Sequence, residues 1–144
     1  VIVICPVSGG SWNGESKNWP DFAAFVAQHL PTLGLPVVLC PGPGEEERIA
    51  REQYPGARLL PGVNLGVYAA LLQRAAVMVS NDTGPAHMAA AVGAPLVSVM
   101  GPSDPTLWRP RGPADRVQVL GGQGRWPSAD EVLAAVQRAV ATPR

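Results

Sequence analysis

The sequence predicts an α/β domain built on a doubly wound, mostly parallel six-stranded sheet. Six short apolar runs alternate with segments of helical spacing along the 144 residues, and Gly- or Pro-rich turns separate them. Two βαβαβ halves give the strand order 3-2-1-4-5-6, which puts a switch point between the first and fourth strands.

The first strand is Val1 to Ile4, a β-branched run extended by Cys5, as expected of a strand covered on both faces. Pro6 cannot donate to a ladder, so the strand stops there. A polar loop from Ser8 to Asn18 follows, and Trp19-Pro20-Asp21 opens a helix to about Leu30. Phe22, Val26 and Leu30 form its apolar stripe and Phe25 widens it; Gly34 ends it. Pro36 to Cys40 reads as the second strand and Arg58 to Leu60 as the third. Between them, Pro41 to Gly44 turns into Glu45-Glu46-Glu47-Arg48, acids suited to the positive end of a helix. Asn64 can cap a helix carrying Leu65, Tyr68, Leu71 and Leu72. The fourth strand is centred on Val77-Met78-Val79, the fifth is Leu96 to Met100 and the sixth Arg116 to Leu120; Ser128 caps a last amphipathic helix to about Val140. There is no internal repeat.

Composition narrows the function. Hydrophobic residues make up 47% and charged ones 15%, a globular balance. The formal net charge is zero with no basic block, which argues against nucleic acid as a partner. Two cysteines, Cys5 and Cys40, are too few for a disulfide framework or a metal site, and both are expected reduced and buried at strand ends in a cytosolic protein. Apolar runs fall far short of the ~20 residues of a membrane span, and Val1 to Ile4 lacks the basic leader of a signal peptide. A strand starting at residue 1 without a methionine reads as a piece of a longer polypeptide.

The chain is organised around the stretch from Val77 to Pro95: apolar strand, polar turn, then a small-residue helix stopped by Gly93. Asp82 or Thr83 can cap that helix, Gly84 admits a ligand close to the backbone, and Pro85 suits the first turn. The helix N-terminus is then a site for phosphate, with His87 one turn in as a further donor. An ordinary capped helix with His87 on the surface is the plain alternative. The predicted topology carries the loop of Lys17 and the turn from Asp82 to His87 to one crevice. Glu45 follows the second strand, where such folds place an acid against a ribose, and the turn at Gly101 lies along the same edge.

Lys17-Asn18-Trp19-Pro20, the Pro43 to Arg48 turn, Asp82-Thr83-Gly84-Pro85-Ala86-His87 and Gly101-Pro102-Ser103-Asp104-Pro105 resemble, in order and spacing, the C-terminal half of family-nine glycosyltransferases. These are the bacterial heptosyltransferases of the lipopolysaccharide inner core. The resemblance runs from Val1 to about Trp108. It implies a GT-B enzyme of two Rossmann-like halves, with residues 1–144 the donor-binding half and an N-terminal acceptor domain absent from this chain. The implied donor is ADP-activated heptose, and the implied reaction is inverting and needs neither metal nor cofactor. By motif match, the Thr83 and Gly84 amides hold the diphosphate, Asp82 positions the turn or the sugar, and His87 binds diphosphate or sugar. Lys17 neutralises charge on the leaving ADP. Glu45, ahead of Glu46, takes the ribose hydroxyls, the backbone at Val63 lines the base pocket, and Ser103 and Asp104 lie near the sugar. The general base and most of the acceptor site belong to the other half, so this half alone is expected to be inactive. The implied setting is the cytoplasm, with at most peripheral contact with the inner face of the inner membrane.

The loop from Pro6 to Lys17 follows the family pattern poorly and leaves open which of Ser8, Ser11 and Asn13 meets the ligand. Trp19 and Trp108 read as packing residues, and Arg109 and Arg111 as plain surface charge. Two rivals remain: a non-catalytic nucleotide-binding module, and another GT-B nucleotide-sugar enzyme such as an epimerase.

Overall fold

A computed structural model describes residues 1–9, 11–12, 14–42, 44–45, 49, 54 and 56–142. In chain order the elements are β1 (Ile2–Cys5), β2 (Ser11–Trp12), β3 (Glu15–Ser16), α1 (Phe22–Gln28), a 3-10 turn (Leu30–Leu33), β4 (Val37–Leu39) and β5 (Ala57–Leu59). Then come α2 (Leu65–Arg74), β6 (Val77–Asn81), α3 (Gly84–Ala91), β7 (Leu96–Met100), α4 (Pro105–Trp108), β8 (Val117–Gly121) and α5 (Ala129–Ala141). Six strands form one sheet in the order β5-β4-β1-β6-β7-β8 with every pairing parallel. That is the expected 3-2-1-4-5-6 order, and β1 and β6 flank the switch point, paired Ile2 to Val77 through Cys5 to Ser80.

Helices cover both faces, and the period-2 alternation of the strands sorts the core accordingly. Ile2 and Ile4, Val77 and Val79, and Val97 and Val99 face α1 and α5, meeting Phe22, Phe25, Val132 and Val136. Val3, Met78 and Leu96 point the other way, against Tyr68 and Leu72 of α2 and Ala86, Ala89 and Ala90 of α3. Alanines on α3 let that helix lie close to the sheet, which fixes where its N-terminus emerges. The edge strand β5 is largely exposed, as its outer position requires.

Several sequence expectations need correcting. The first helix ends at Gln28 and continues as a 3-10 turn, because Pro31 lacks the N–H an α-turn would use; Gly34, at φ 67°, then closes it. The loop from Ser8 to Asn18 contains a two-stranded antiparallel hairpin, β2 with β3. Leu65 does not join the apolar stripe of α2, being 71% exposed. Trp108 is half exposed rather than packed, whereas Trp19 is buried against Phe22 and Phe25. Cys5 is buried but Cys40 only partly so, and both are free thiols. The expected caps hold elsewhere: Asn64 accepts from the Val67 N–H, and Ser128 and Glu131 form a reciprocal capping box.

Gly101, which ends β7 and begins the turn toward the crevice, is covered by the Trp126 indole so closely that a Cβ would sit 2.2 Å from Cε2. Gly101→Ala should therefore lower stability by about 1–3 kcal/mol through overpacking. A urea titration checks this; an unchanged midpoint would mean that the indole swings away freely.

Candidate functional site

In a parallel sheet, every loop after a strand leaves at the same edge, so the loops after β1, β4, β6 and β7 converge around the switch point. The centre of this convergence is Asp82, only 6% exposed, directly after the central strand. Its Oδ2 accepts a 2.6 Å hydrogen bond from the Ser103 hydroxyl, itself buried, and lies 3.7 Å from the Lys17 ammonium. A buried carboxylate is costly unless paired, and these two partners meet that requirement. The loops after β1 and β7 are thereby tied to the turn after β6.

A second set of bonds fixes the lysine loop. The Asn81 amide donates to the Pro6 carbonyl (2.7 Å) and to Asn18 Oδ1 (3.3 Å), and its own oxygen accepts from the Trp19 N–H (3.0 Å). Asn18 closes a two-way bridge with the Ser8 backbone, accepting at 2.6 Å and donating at 3.2 Å. The Ser8 hydroxyl donates to the Asp82 carbonyl. Sequence reasoning missed Asn81, and assigned no role to Asn18 within its motif. The one available signal was an amide at the end of an otherwise apolar strand, where a side chain with both donor and acceptor can join two loops. Of the three candidates left open, Ser8 is buried in this network, Ser11 is exposed on the hairpin, and Asn13 lies outside the described residues.

The helix tip itself differs from expectation in one respect. Thr83 is the N-cap residue of α3, but neither its side chain nor that of Asp82 caps the helix. Asp82 is held by Ser103 and Lys17, and Thr83 takes no such bond. Among the described residues the Thr83 and Gly84 N–H groups have no hydrogen-bond partner. An uncapped N-terminus keeps its partial positive charge and its free donors, the properties that hold an anion. No Cβ at Gly84 would meet anything within 4 Å, so the approach is open. His87 is exposed one turn in.

Beside the tip lies a cleft of about 300 Å³ whose lining includes Cys5, Cys40, Glu45, Val63, Tyr68 and Thr83. Glu45 and Val63 thus share one depression with the helix tip. The Glu45 carboxylate is oriented by its own turn: Oε2 accepts from the Gly42 N–H at 2.8 Å, while the Glu45 N–H returns a bond to the Gly42 carbonyl. The approach is close: a Cβ at position 42 would lie 3.2 Å from the carboxyl, so the Glu45 side chain would have to give by a few tenths of an ångström. Glu46, the rival acid, is outside the described residues. Burial pushes the Cys5 thiol up to about 12 and raises Cys40 as well. Burial also raises the Tyr68 phenol, and the fields of Cys5, Cys40 and Glu45 add to it.

Asp104 follows β7 in the same turn as Ser103 and also serves as a helix cap. Its Oδ1 caps α4, accepting from the Thr106 N–H (3.0 Å) and hydroxyl (2.8 Å), bonds that hold the carboxyl below its ordinary range. The structure therefore gathers Lys17, Asp82, Thr83, Gly84 and Ser103 at one point and Glu45 and Val63 along the adjoining cleft, and gives Asp104 a structural bond of its own.

A doubly wound parallel sheet with helices on both faces and its loops gathered at one switch point is of the Rossmann-like α/β class. The chain belongs to glycosyltransferase family 9: the family model described as Glycosyltransferase family 9 (heptosyltransferase) matches residues 1–134. Over 103 residues it is 38% identical to lipopolysaccharide heptosyltransferase 3 of Escherichia coli, covering 65% of this chain and 30% of that protein. Lipooligosaccharide heptosyltransferase 2 of Haemophilus influenzae is 32% identical over 120 residues, covering 76% and 34%. Among solved structures, E. coli heptosyltransferase WaaC with ADP superposes with a TM-score of 0.77 at 27% identity, covering 96% of this chain and 43% of that one. The chain thus spans about a third of the length of these curated relatives.

Removing the Asn81 amide should loosen the lysine loop. Asn81→Ala leaves the Trp19 N–H and the Pro6 carbonyl without this partner, at a cost of at least about 2 kcal/mol. Hydrogen exchange of the Trp19 amide should accelerate in that variant; unchanged protection would mean that the loop is held by other contacts.

Proposed function

We propose that residues 1–144 are the nucleotide-sugar half of a heptosyltransferase, binding an ADP-activated heptose for inverting, metal-independent transfer to the lipopolysaccharide inner core. The observation that carries this reading is the uncapped tip at Thr83 and Gly84 with Lys17 held against the same turn by Asp82. Support comes from the fold shared with a heptosyltransferase solved with ADP.

In this reading the two free amides hold the diphosphate, and His87 adds a donor from one turn along. As the bond to the anomeric carbon breaks, negative charge builds on the leaving ADP. Lys17 and the helix tip stabilise it, the electrostatic contribution a metal makes in other transferases. Asp82 acts by position: it keeps the ammonium aimed at the tip and takes the Ser103 loop with it. Glu45 receives the ribose hydroxyls on the oxygen that Gly42 leaves free, and the backbone at Val63 borders the base. Asp104 enters only by shaping the turn beside the sugar. The acceptor hydroxyl attacks from the face opposite ADP, deprotonated by a carboxylate from outside these 144 residues. The acceptor domain is likewise assigned outside them, consistent with the third of its relatives' length that the chain spans. By itself this half binds nucleotide and transfers nothing. Among the described residues, no helix is long and apolar enough to cross a membrane. The reading places the protein in the cytoplasm, with at most peripheral contact with the inner membrane.

Calorimetry with ADP, UDP and GDP tests the donor. ADP should bind at least about tenfold more tightly than the others, a difference of about 1.4 kcal/mol; equal, millimolar binding of all three overturns the assignment. Lys17→Ala should weaken ADP by about ten- to a hundredfold, the range of a charge-assisted contact, and leave adenosine unaffected. It should also lower stability by about 1–3 kcal/mol, because the buried Asp82 carboxylate is left with Ser103 as its one side-chain partner among the described residues. A variant binding ADP as tightly as the parent removes the lysine from the mechanism.

A further inference from the structure

The turn that follows β8 has no role so far. Gly121, Gly122, Gln123 and Gly124 all take positive φ, at 76°, 109°, 55° and 88°. Glycine adopts that conformation without a Cβ clash, and three of these residues are glycine. Gln123 is the exception, and among the described residues no other non-glycine has positive φ. The backbone bonds of the turn do not require its side chain. The Gln123 N–H donates to the Ser103 carbonyl at 2.8 Å and the Gly124 N–H to the Gly101 carbonyl at 2.9 Å, and a glycine at 123 would donate equally well. Packing does not require it either, because Gln123 is exposed. Its amide makes one long contact, Nε2 to Asp104 Oδ1 at 3.4 Å, on an oxygen that Thr106 already engages twice. A side chain kept at a strained position, with so little to hold in the free protein, calls for a partner from outside it.

Its place in the fold says which partner. The amide lies against Asp104, next in sequence to the Ser103 whose hydroxyl is bound to Asp82. In the sheet order β5-β4-β1-β6-β7-β8, the cleft of Glu45 lies beyond β4, the helix tip follows β6 and the Gln123 turn follows β8. A nucleotide with its ribose at Glu45 and its diphosphate at Thr83 and Gly84 therefore continues toward the loops after β7 and β8. Two strand spacings, about 10 Å, separate β6 from β8. A primary amide offers both donors and an acceptor, the pair of functions that a sugar hydroxyl uses.

We infer that Gln123 is a specificity residue that hydrogen-bonds the hydroxyls of the sugar carried on the diphosphate. This rests on the donor reading above.

The test compares ADP with ADP-heptose by calorimetry on the parent chain, on Gln123→Gly and on Gln123→Ala. The parent should bind ADP-heptose more tightly than ADP. Both variants should bind ADP-heptose about three- to tenfold more weakly than the parent, the range of one neutral hydrogen bond, and bind ADP as the parent does. Without nucleotide Gln123→Gly should melt at or above the parent, because glycine relieves the backbone. A glycine variant that melts below the parent overturns the inference, since the side chain then serves the turn itself. Unchanged ADP-heptose affinity in both variants also overturns it. So does a loss confined to Gln123→Gly, which assigns the effect to backbone stiffness, and so does an equal loss for both ligands, which assigns it to the Ser103 loop and the diphosphate. A parent that binds ADP and ADP-heptose alike leaves no sugar contact to read and overturns the inference with the donor nucleotide still in place. A parent that binds no ADP at all removes the donor reading itself, and this inference with it.

Discussion

A carboxylate buried at the end of the central strand binds the site together. Water solvates an exposed aspartate well, and the interior does not, so Asp82 at 6% exposure must find its partners within the fold. It finds a hydroxyl from the loop after β7 and an ammonium from the loop after β1. Each partner belongs to a loop that other bonds also hold, the loop after β1 through Asn18 and Asn81 and the loop after β7 through the Gln123 N–H on the Ser103 carbonyl. Because Asp82 is held in this way, no carboxylate turns back to cap α3, and the helix tip keeps its donors.

The sheet makes this arrangement possible. Parallel strands send all their following loops to one edge, and doubly wound connections part them at the boundary of β1 and β6. Asn81 then works at that boundary from the interior side, joining the carbonyl after β1, the lysine loop and its own strand. Two side chains adjacent in sequence, Asn81 and Asp82, thus govern two different levels of the site. One sets where the loop runs, and the other sets which charge meets the helix tip. The cleft beside them is mixed in character, with two free thiols, an oriented carboxylate and a tyrosine whose hydroxyl has no partner among the described residues.

Much of this could be read from the residues alone. Every strand of the six-stranded sheet was placed to within a residue or two at each end, since its runs are apolar and bounded by Gly- and Pro-rich turns, whereas the polar β2–β3 hairpin carries no such signal and was missed. Strand order followed because crossover handedness leaves few alternatives. Lys17, Asp82, Thr83 and Ser103 came together as their positions after successive strands required. Local pattern also fixed the caps at Asn64 and Ser128, whose partners lie three residues away.

What the sequence could not decide is where a polar side chain turns when several partners compete for it. Asp82 and Thr83 both have the chemistry of a cap, and only the packed structure shows that Ser103, twenty-one residues on, captures Asp82 first. Asp104 reads as a turn residue after the fifth strand, and the structure adds that its Oδ1 caps α4 through Thr106, two residues on. Asn81 reads as an ordinary strand end until loops sixty-three and seventy-five residues away arrive beside it. Pattern and propensity act over a few residues and so determined the elements and their order. Competition for hydrogen bonds among groups distant in the chain is settled only once the core brings them together, and it was tertiary structure that chose the partners.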